Sequence, residues 1–285
     1  MVEYKKSESK EWARETLRGQ WSTLMTPFDD NDMLDEEGLR KDIQHVRSLG
    51  TRGAGCTWGM GEFWTLTYEE RAKVYDIVSD EAAGQWPIAA HVSHTSQKDM
   101  YALASHAENA GFDLLVVAAP YFVTNQEKQV LEWVKGLADH TNLAIMYYNS
   151  PQFGIVMSAD GLDDICSIDN VVGVKEASFN PELSVSTHLK VGQKAIISTP
   201  DEWIFDKGKE LGFEQQVMFA NTSDWRFDTT EENYYVQFID KVMQGDLDKD
   251  FYNQNIAPIK EVSEKWWQYT VKKMGGALPA SLLSL

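Results

Sequence analysis

The chain has 285 residues, 43% of them hydrophobic and 25% charged, with 26 Lys and Arg against 44 Asp and Glu, for a formal net charge of −18. So acidic a chain lacks the basic footprint that nucleic-acid phosphates or an anionic membrane surface require, although a locally positive pocket for an anionic small molecule stays open. Its size is enough for one large core or two small ones, and no apolar run approaches the ~20 residues that span a bilayer.

Taken in chain order, residues 1–19 intersperse Lys5, Lys6, Lys10, Arg14 and Arg18 with Glu3, Glu8, Glu11 and Glu15. That pattern has no apolar stretch of the signal-peptide kind, and Cys56 and Cys166 are too few for a disulfide framework and lack zinc-site spacing. The expectation is a cytoplasmic protein. Short apolar runs then recur at 21–26, 53–58, 87–92, 113–119, 143–148, 170–175, 194–199 and 215–220. Their hydrophobicity is nearly continuous, without strict alternation, as parallel strands covered on both faces require.

Amphipathic segments lie between the runs, at 36–49, 68–83, 97–110, 126–139 and 159–168. Two helix starts carry capping-box signals, Thr67 with Glu70 and Thr124 with Glu127. Eight strand candidates alternating with helices match a (β/α)8 TIM barrel of ~250 residues better than an open doubly wound sheet. Beyond the eighth run, 231–243 and 248–273 predict additional C-terminal helices. The expected organisation is a helical or extended segment over 1–19, the barrel over 20–228 and a helical extension over 229–285.

A barrel of this kind carries its chemistry at the C-terminal ends of the strands. The fifth run ends there in Tyr147-Tyr148-Asn149-Ser150-Pro151 and the sixth in Gly173-Val174-Lys175-Glu176-Ala177-Ser178. A lysine is rarely buried because its ammonium is costly to desolvate. Burial lowers its pKa and frees the amine to attack a carbonyl. The bland alternative is a lysine that snorkels out of the barrel mouth.

Four signatures in order settle between these two. Thr26-Pro27-Phe28, Gly61-Glu62 with Thr65-Leu66-Thr67, Tyr148-Asn149-Ser150-Pro151 and Gly173-Val174-Lys175-Glu176-Ala177-Ser178 together resemble the dihydrodipicolinate synthase/N-acetylneuraminate lyase family of class I, Schiff-base aldolases. The resemblance covers residues 20–180 and fades beyond them. It implies a (β/α)8 barrel with C-terminal helices, no metal or organic cofactor, and association into dimers or tetramers. It further implies that Lys175 forms a covalent imine with a 2-oxo acid, typically pyruvate, and that Tyr148 shuttles protons.

Several positions depart from the family. Gly59 and Met60 stand where two hydroxyl residues usually precede Gly61-Glu62; their amides and that of Gly61 are the expected carboxylate cradle. Gln152-Phe153-Gly154 replaces the arginine that holds a second carboxylate in dihydrodipicolinate synthases, and Phe122 replaces a second tyrosine. With Trp58, Phe63 and Trp64 nearby, Phe122 and Phe153 imply a bulky apolar or aromatic aldehyde partner without a second carboxylate. Ser198, Asn221 and Arg226 are substrate-binding candidates from their places at the barrel mouth. His91 and His94 fit either a substrate contact or a loop turn, and their spacing on a strand is no metal site.

The leading expectation is a pyruvate-dependent class I aldolase or lyase. A hydratase-aldolase or dehydratase working through the same imine stays open, as does a non-catalytic barrel retained for binding or regulation.

Overall fold

The protein is described by a computed structural model covering residues 4–122, 124–219 and 228–273. Eight parallel strands, β1 (Gly19–Thr23), β2 (Gly53–Cys56), β3 (Ile88–His91), β4 (Leu114–Ala118), β5 (Ala144–Asn149), β6 (Val171–Glu176), β7 (Ile196–Ser198) and β8 (Val217–Phe219), follow one another around a (β/α)8 barrel. The ladder runs from β7 through β1 to β8. Between β8 and β7 the Phe219 amide donates to the Ser198 hydroxyl at 3.2 Å, so a side chain stands where a backbone ladder would close the ring.

Every strand residue is buried, which fits the unbroken apolar runs, because helices cover the outside and side chains fill the inside. The helices are α1 (Ser9–Thr16), α2 (Glu36–Ser48), α3 (Tyr68–Ala82), α4 (Gln97–Ala110), α5 (Glu127–His140), α6 (Ala159–Ile165), α7 (Pro181–Val191), α8 (Trp203–Leu211) and α9 (Tyr234–Met243). A last helix, Ala257–Lys273, follows a single π-turn over Tyr252–Ile256, so the segment expected at 248–273 is helical but interrupted. Among the described residues no helix is long and apolar enough to cross a membrane.

The strands are shorter than their apolar runs. At the seventh, Thr199 leaves the ladder because Gln215 satisfies it instead, accepting from the Thr199 amide at 2.7 Å and donating to its carbonyl at 3.0 Å. The Thr67–Glu70 capping box forms. The Thr124–Glu127 box does not: the Thr124 hydroxyl donates to the Pro120 carbonyl, Gln129 accepts from the Gln126 amide, and Glu127 accepts from Ser158. A side chain able to cap was drawn to a nearer acceptor.

Two segments brace the barrel from outside. At its N-terminal end the Tyr4 hydroxyl donates to Asp113 O and accepts from the Ala144 amide, both at 2.6 Å, while Gln216 donates to Leu17 O at 2.7 Å. At the other side α9 buries Tyr235, Val236, Phe238 and Ile239, and the Asp228 carboxylate caps it by accepting from the Tyr235 and Val236 amides at 3.1 and 3.2 Å.

Candidate active site

Parallel pairing decides which side chains meet. The β5–β6 ladder sets Tyr148 beside Lys175, and the β6–β7 ladder sets Lys175 beside Ser198. Ladder partners point to one face of a sheet, so the three side chains share the barrel interior. Gly173 makes this possible, because a Cβ there would lie 2.3 Å from the Ile196 carbonyl oxygen and would push β6 off β7.

Lys175 is 3% exposed and Tyr148 5%. The Lys175 Nζ lies 4.7 Å from the centre of the Tyr148 ring and 5.0 Å from that of Trp58. Ring faces attract a cation by only ~0.5–2 kcal/mol, less than its lost hydration. Burial accordingly brings the Lys175 pKa down from 10.5 to about 7, with no carboxylate among the described residues to hold it up. Burial also pushes the Tyr148 phenol up to about 12, so it is neutral at physiological pH.

The loop after β2 supplies the floor. Trp58 is 1% exposed and lies over Gly55, whose absent side chain leaves the room: a Cβ there would meet the indole at 2.5 Å. Gly59–Gly61 then forms one tight 3-10 turn, bracketed by Thr57 and Glu62 at φ of 50° and 54°. Non-glycine residues at such angles carry strain, which collects at functional loops. The Gly61 amide is spent on Trp58 O at 3.0 Å, so of the three expected cradle residues Gly59 and Met60 keep amides that no described acceptor takes. Thr26, from the first signature, fastens the turn by donating to Gly61 O at 2.8 Å.

An aromatic wall rises from this floor. Phe153 packs edge-on to Tyr148 at 5.1 Å and faces Phe63 at 6.1 Å, and Phe63 in turn meets His91 at 4.4 Å and Tyr121 at 6.1 Å. Phe153 and Phe63 are both 3% exposed, and Met60 is 8% exposed. Phe122 is not part of the wall. Its backbone is left-handed at φ 79°, which turns the ring outward to 92% exposure and leaves Tyr121 as the member from that loop.

Other expected residues resolve differently. Ser198 shares the lysine's face, but its oxygen is occupied by the Phe219 amide. His91 is enclosed in a complete network: Nδ1 faces Thr57 O at 3.2 Å and so carries the proton, while Nε2 accepts from the Ser93 hydroxyl at 2.9 Å. Ser93 itself accepts from the Ala118 amide at 2.7 Å. Burial, then the nearby Arg71 charge, keeps this imidazole neutral, and it serves to bind β3 to its neighbours. His94 accepts from the Ser96 amide at 2.9 Å, the loop-turn alternative. Asn221 and Arg226 lie outside the described residues.

The sequence did not single out the groups that stand behind the pair. Asn149 accepts from the Met157 amide at 2.9 Å and donates to Met157 O at 3.2 Å and to Glu176 at 3.5 Å. The Glu176 carboxylate also accepts from the Ser178 amide at 3.1 Å and from the Ser184 hydroxyl. These residues belong to the same signatures as Tyr148 and Lys175, a signal that could have marked them. Arg71, 1% exposed, donates to the carbonyls of Ser93, at 2.9 Å, and His91, and nothing in its helical spacing announces that. Among the described residues no group of three His, Cys, Asp or Glu side chains is placed to hold a metal ion. An open cleft of about 440 Å³ between α4 and α5, lined by Gln97, Gln129 and Trp133 among others, lies on the outer helical ring and holds no comparable chemistry.

Comparison with known proteins places this geometry. A sequence profile of the Dihydrodipicolinate synthetase family matches residues 16–269. The 4-hydroxy-tetrahydrodipicolinate synthase of Rhodopseudomonas palustris (strain BisA53) is 34% identical over 169 residues, covering 59% of this chain and 57% of that one. The enzyme of the same name from Bartonella henselae (strain Houston 1) is 28% identical over 188 residues, covering 65% of this chain and 64% of that one. In both cases the match spans less than two thirds of the relative's length. Among solved structures, YagE from E. coli K12, a prophage protein of the dihydrodipicolinic acid synthase family crystallised with pyruvate, superposes with a TM-score of 0.76 at 20% identity, covering 88% of this chain and 83% of that one.

Proposed function

The chain belongs to the dihydrodipicolinate synthetase family, and from that premise we propose that it is a pyruvate-dependent class I aldolase or lyase that makes or breaks a carbon-carbon bond through an imine at Lys175. The observation that carries this is the register pairing of a buried lysine, brought to about 7 by desolvation alone, with Tyr148. At neutral pH about half of such an amine is unprotonated and nucleophilic. The pyruvate bound in YagE supports the choice of 2-oxo acid.

In this mechanism the unengaged amides at the turn, the Gly59 and Met60 N–H groups, receive the substrate carboxylate. The Lys175 nitrogen adds to the keto carbon, one of its protons passes to the keto oxygen through Tyr148, and a second proton, drawn from solvent through Tyr148, lets the hydroxyl leave as water and gives the protonated imine. That cation is an electron sink: a proton of the adjacent methyl leaves through Tyr148 to solvent and gives an enamine, which adds to an aldehyde carbonyl while Tyr148 protonates the new alkoxide and regains its proton from solvent. Water then returns to the imine carbon and frees Lys175. Cleavage runs the same steps backwards. The chemistry uses no metal or organic cofactor.

For the partner we propose a bulky apolar or aromatic aldehyde. Phe63, Phe153 and Tyr121 supply apolar surface beside Tyr148, and the stretch Gln152-Phe153-Gly154 has no carboxylate-binding arginine. Reduction with borohydride in the presence of pyruvate, followed by peptide mass spectrometry, tests the mechanism. The expected result is a pyruvyl adduct on Lys175 alone, and an unmodified Lys175 refutes the pyruvate imine.

A further inference from the structure

A Cβ built on Gly59 would have, among the described residues, two non-neighbouring atoms within 4 Å, the Tyr148 hydroxyl at 4.0 Å and Oε1 of Gln152 at 3.7 Å. The point is therefore open and flanked by two oxygens, one from the buried tyrosine and one from an exposed side chain. The Tyr148 hydroxyl has no hydrogen-bond partner among the described residues, yet a phenol pushed up to about 12 moves protons only in concert with a partner. The backbone on which Gln152 is mounted is firm: the Gln152 amide donates to the Ser150 hydroxyl at 3.4 Å, the Phe153 amide to Ser150 O at 3.2 Å, and the Phe153 ring is buried.

From this placement we infer that Gln152 is a positioning residue of the proton path, its amide holding a water against the Tyr148 hydroxyl in the space that Gly59 leaves open. The inference rests on the proposed imine mechanism. An amide does not titrate, so Gln152 transfers nothing itself. For each proton that Tyr148 gives to the reacting centre, the bridging water breaks one O–H bond as the phenol O–H re-forms, and takes up a proton from solvent at the mouth. The reverse sequence carries a proton out.

Pyruvate alone in D2O is the test, with deuterium entry into its methyl group followed by NMR and borohydride trapping at Lys175 reporting the imine separately. Gln152→Ala is expected to slow deuterium entry by about tenfold, below the full ~10²–10⁴-fold worth of placed proton transfer. Adding Gly59→Ser to Gln152→Ala is expected to restore it, because the serine hydroxyl occupies the same space beside Tyr148. Exchange at the wild-type rate in Gln152→Ala, or slow exchange that Gly59→Ser does not restore, overturns the relay while leaving the imine intact. A wild-type chain that is neither trapped nor exchanged overturns the mechanism beneath it.

Discussion

Replacing Lys175 by methionine removes the most expensive group in the core while keeping an unbranched side chain of similar length. The drop from 10.5 to about 7 corresponds, at ~1.36 kcal/mol per unit, to a ceiling of about 5 kcal/mol against the folded state when the ammonium is charged. Attraction to the Trp58 and Tyr148 rings, together with relaxation and water entry in a real core, reduces it, so a gain of about 2–4 kcal/mol is expected at pH 6. The sign follows from proton counts. Between pH 7 and 10.5 the unfolded lysine holds its proton and the folded one has released it, so wild-type stability rises with pH through this window. The advantage of Lys175→Met is therefore largest below pH 7, roughly halved near pH 9 and gone near pH 10.5. Urea unfolding of both proteins at pH 6 and pH 9 measures it. A difference that does not change between the two pH values refutes the reasoning, because it means that Lys175 is hydrated or paired in the folded chain.

The same desolvation sets a kinetic profile. Formation of the pyruvate imine, followed by single-turnover trapping, is expected to rise with pH up to about 7 and level off above it, whereas an ordinary lysine would drive the rate upward towards 10.5. Phe153→Leu trims the aromatic wall beside Tyr148. It is expected to raise KM for an aromatic aldehyde about 2–10-fold, the worth of one aromatic pair, with little change for a small aliphatic aldehyde, as steady-state assays with both would establish. The products of the aromatic assay, aldol or dehydrated condensation product, also separate a simple aldolase from a hydratase-aldolase.

Much of the architecture was legible because burial on both faces leaves a mark at every residue of a strand. The runs 113–119 and 143–148 coincide closely with β4 and β5. The boundary errors have a common cause in side chains that compete with the backbone: Gln215 replaces the ladder at Thr199, and Gln129 replaces Thr124 and Glu127 at the start of α5. No local pattern reveals which of two available partners wins, because the winner depends on residues brought in from elsewhere in the chain. The helices α7 and α8 are not among the amphipathic segments that the sequence marks, although Asn180-Pro181 is a helix start of the ordinary kind, with the Asn180 side chain accepting from the amides of Glu182 and Leu183.

The site divides in the same way. Lys175, Tyr148, Gly59 and Phe153 were marked by residue type and motif, and the sequence by itself determined the alternation of strand and helix, the strand ends that carry these residues, and the chemistry a lysine and a tyrosine can perform together. Only the tertiary structure decided that the two are ladder partners with no carboxylate among the described residues holding the lysine charged, that Phe122 turns outward while Tyr121 and Phe63 turn inward, and that Tyr148 and Gln152 both border the space above Gly59. Residue type sets what a group can do. Its pKa and its partners are set by desolvation and distance, which depend on what the fold packs around it.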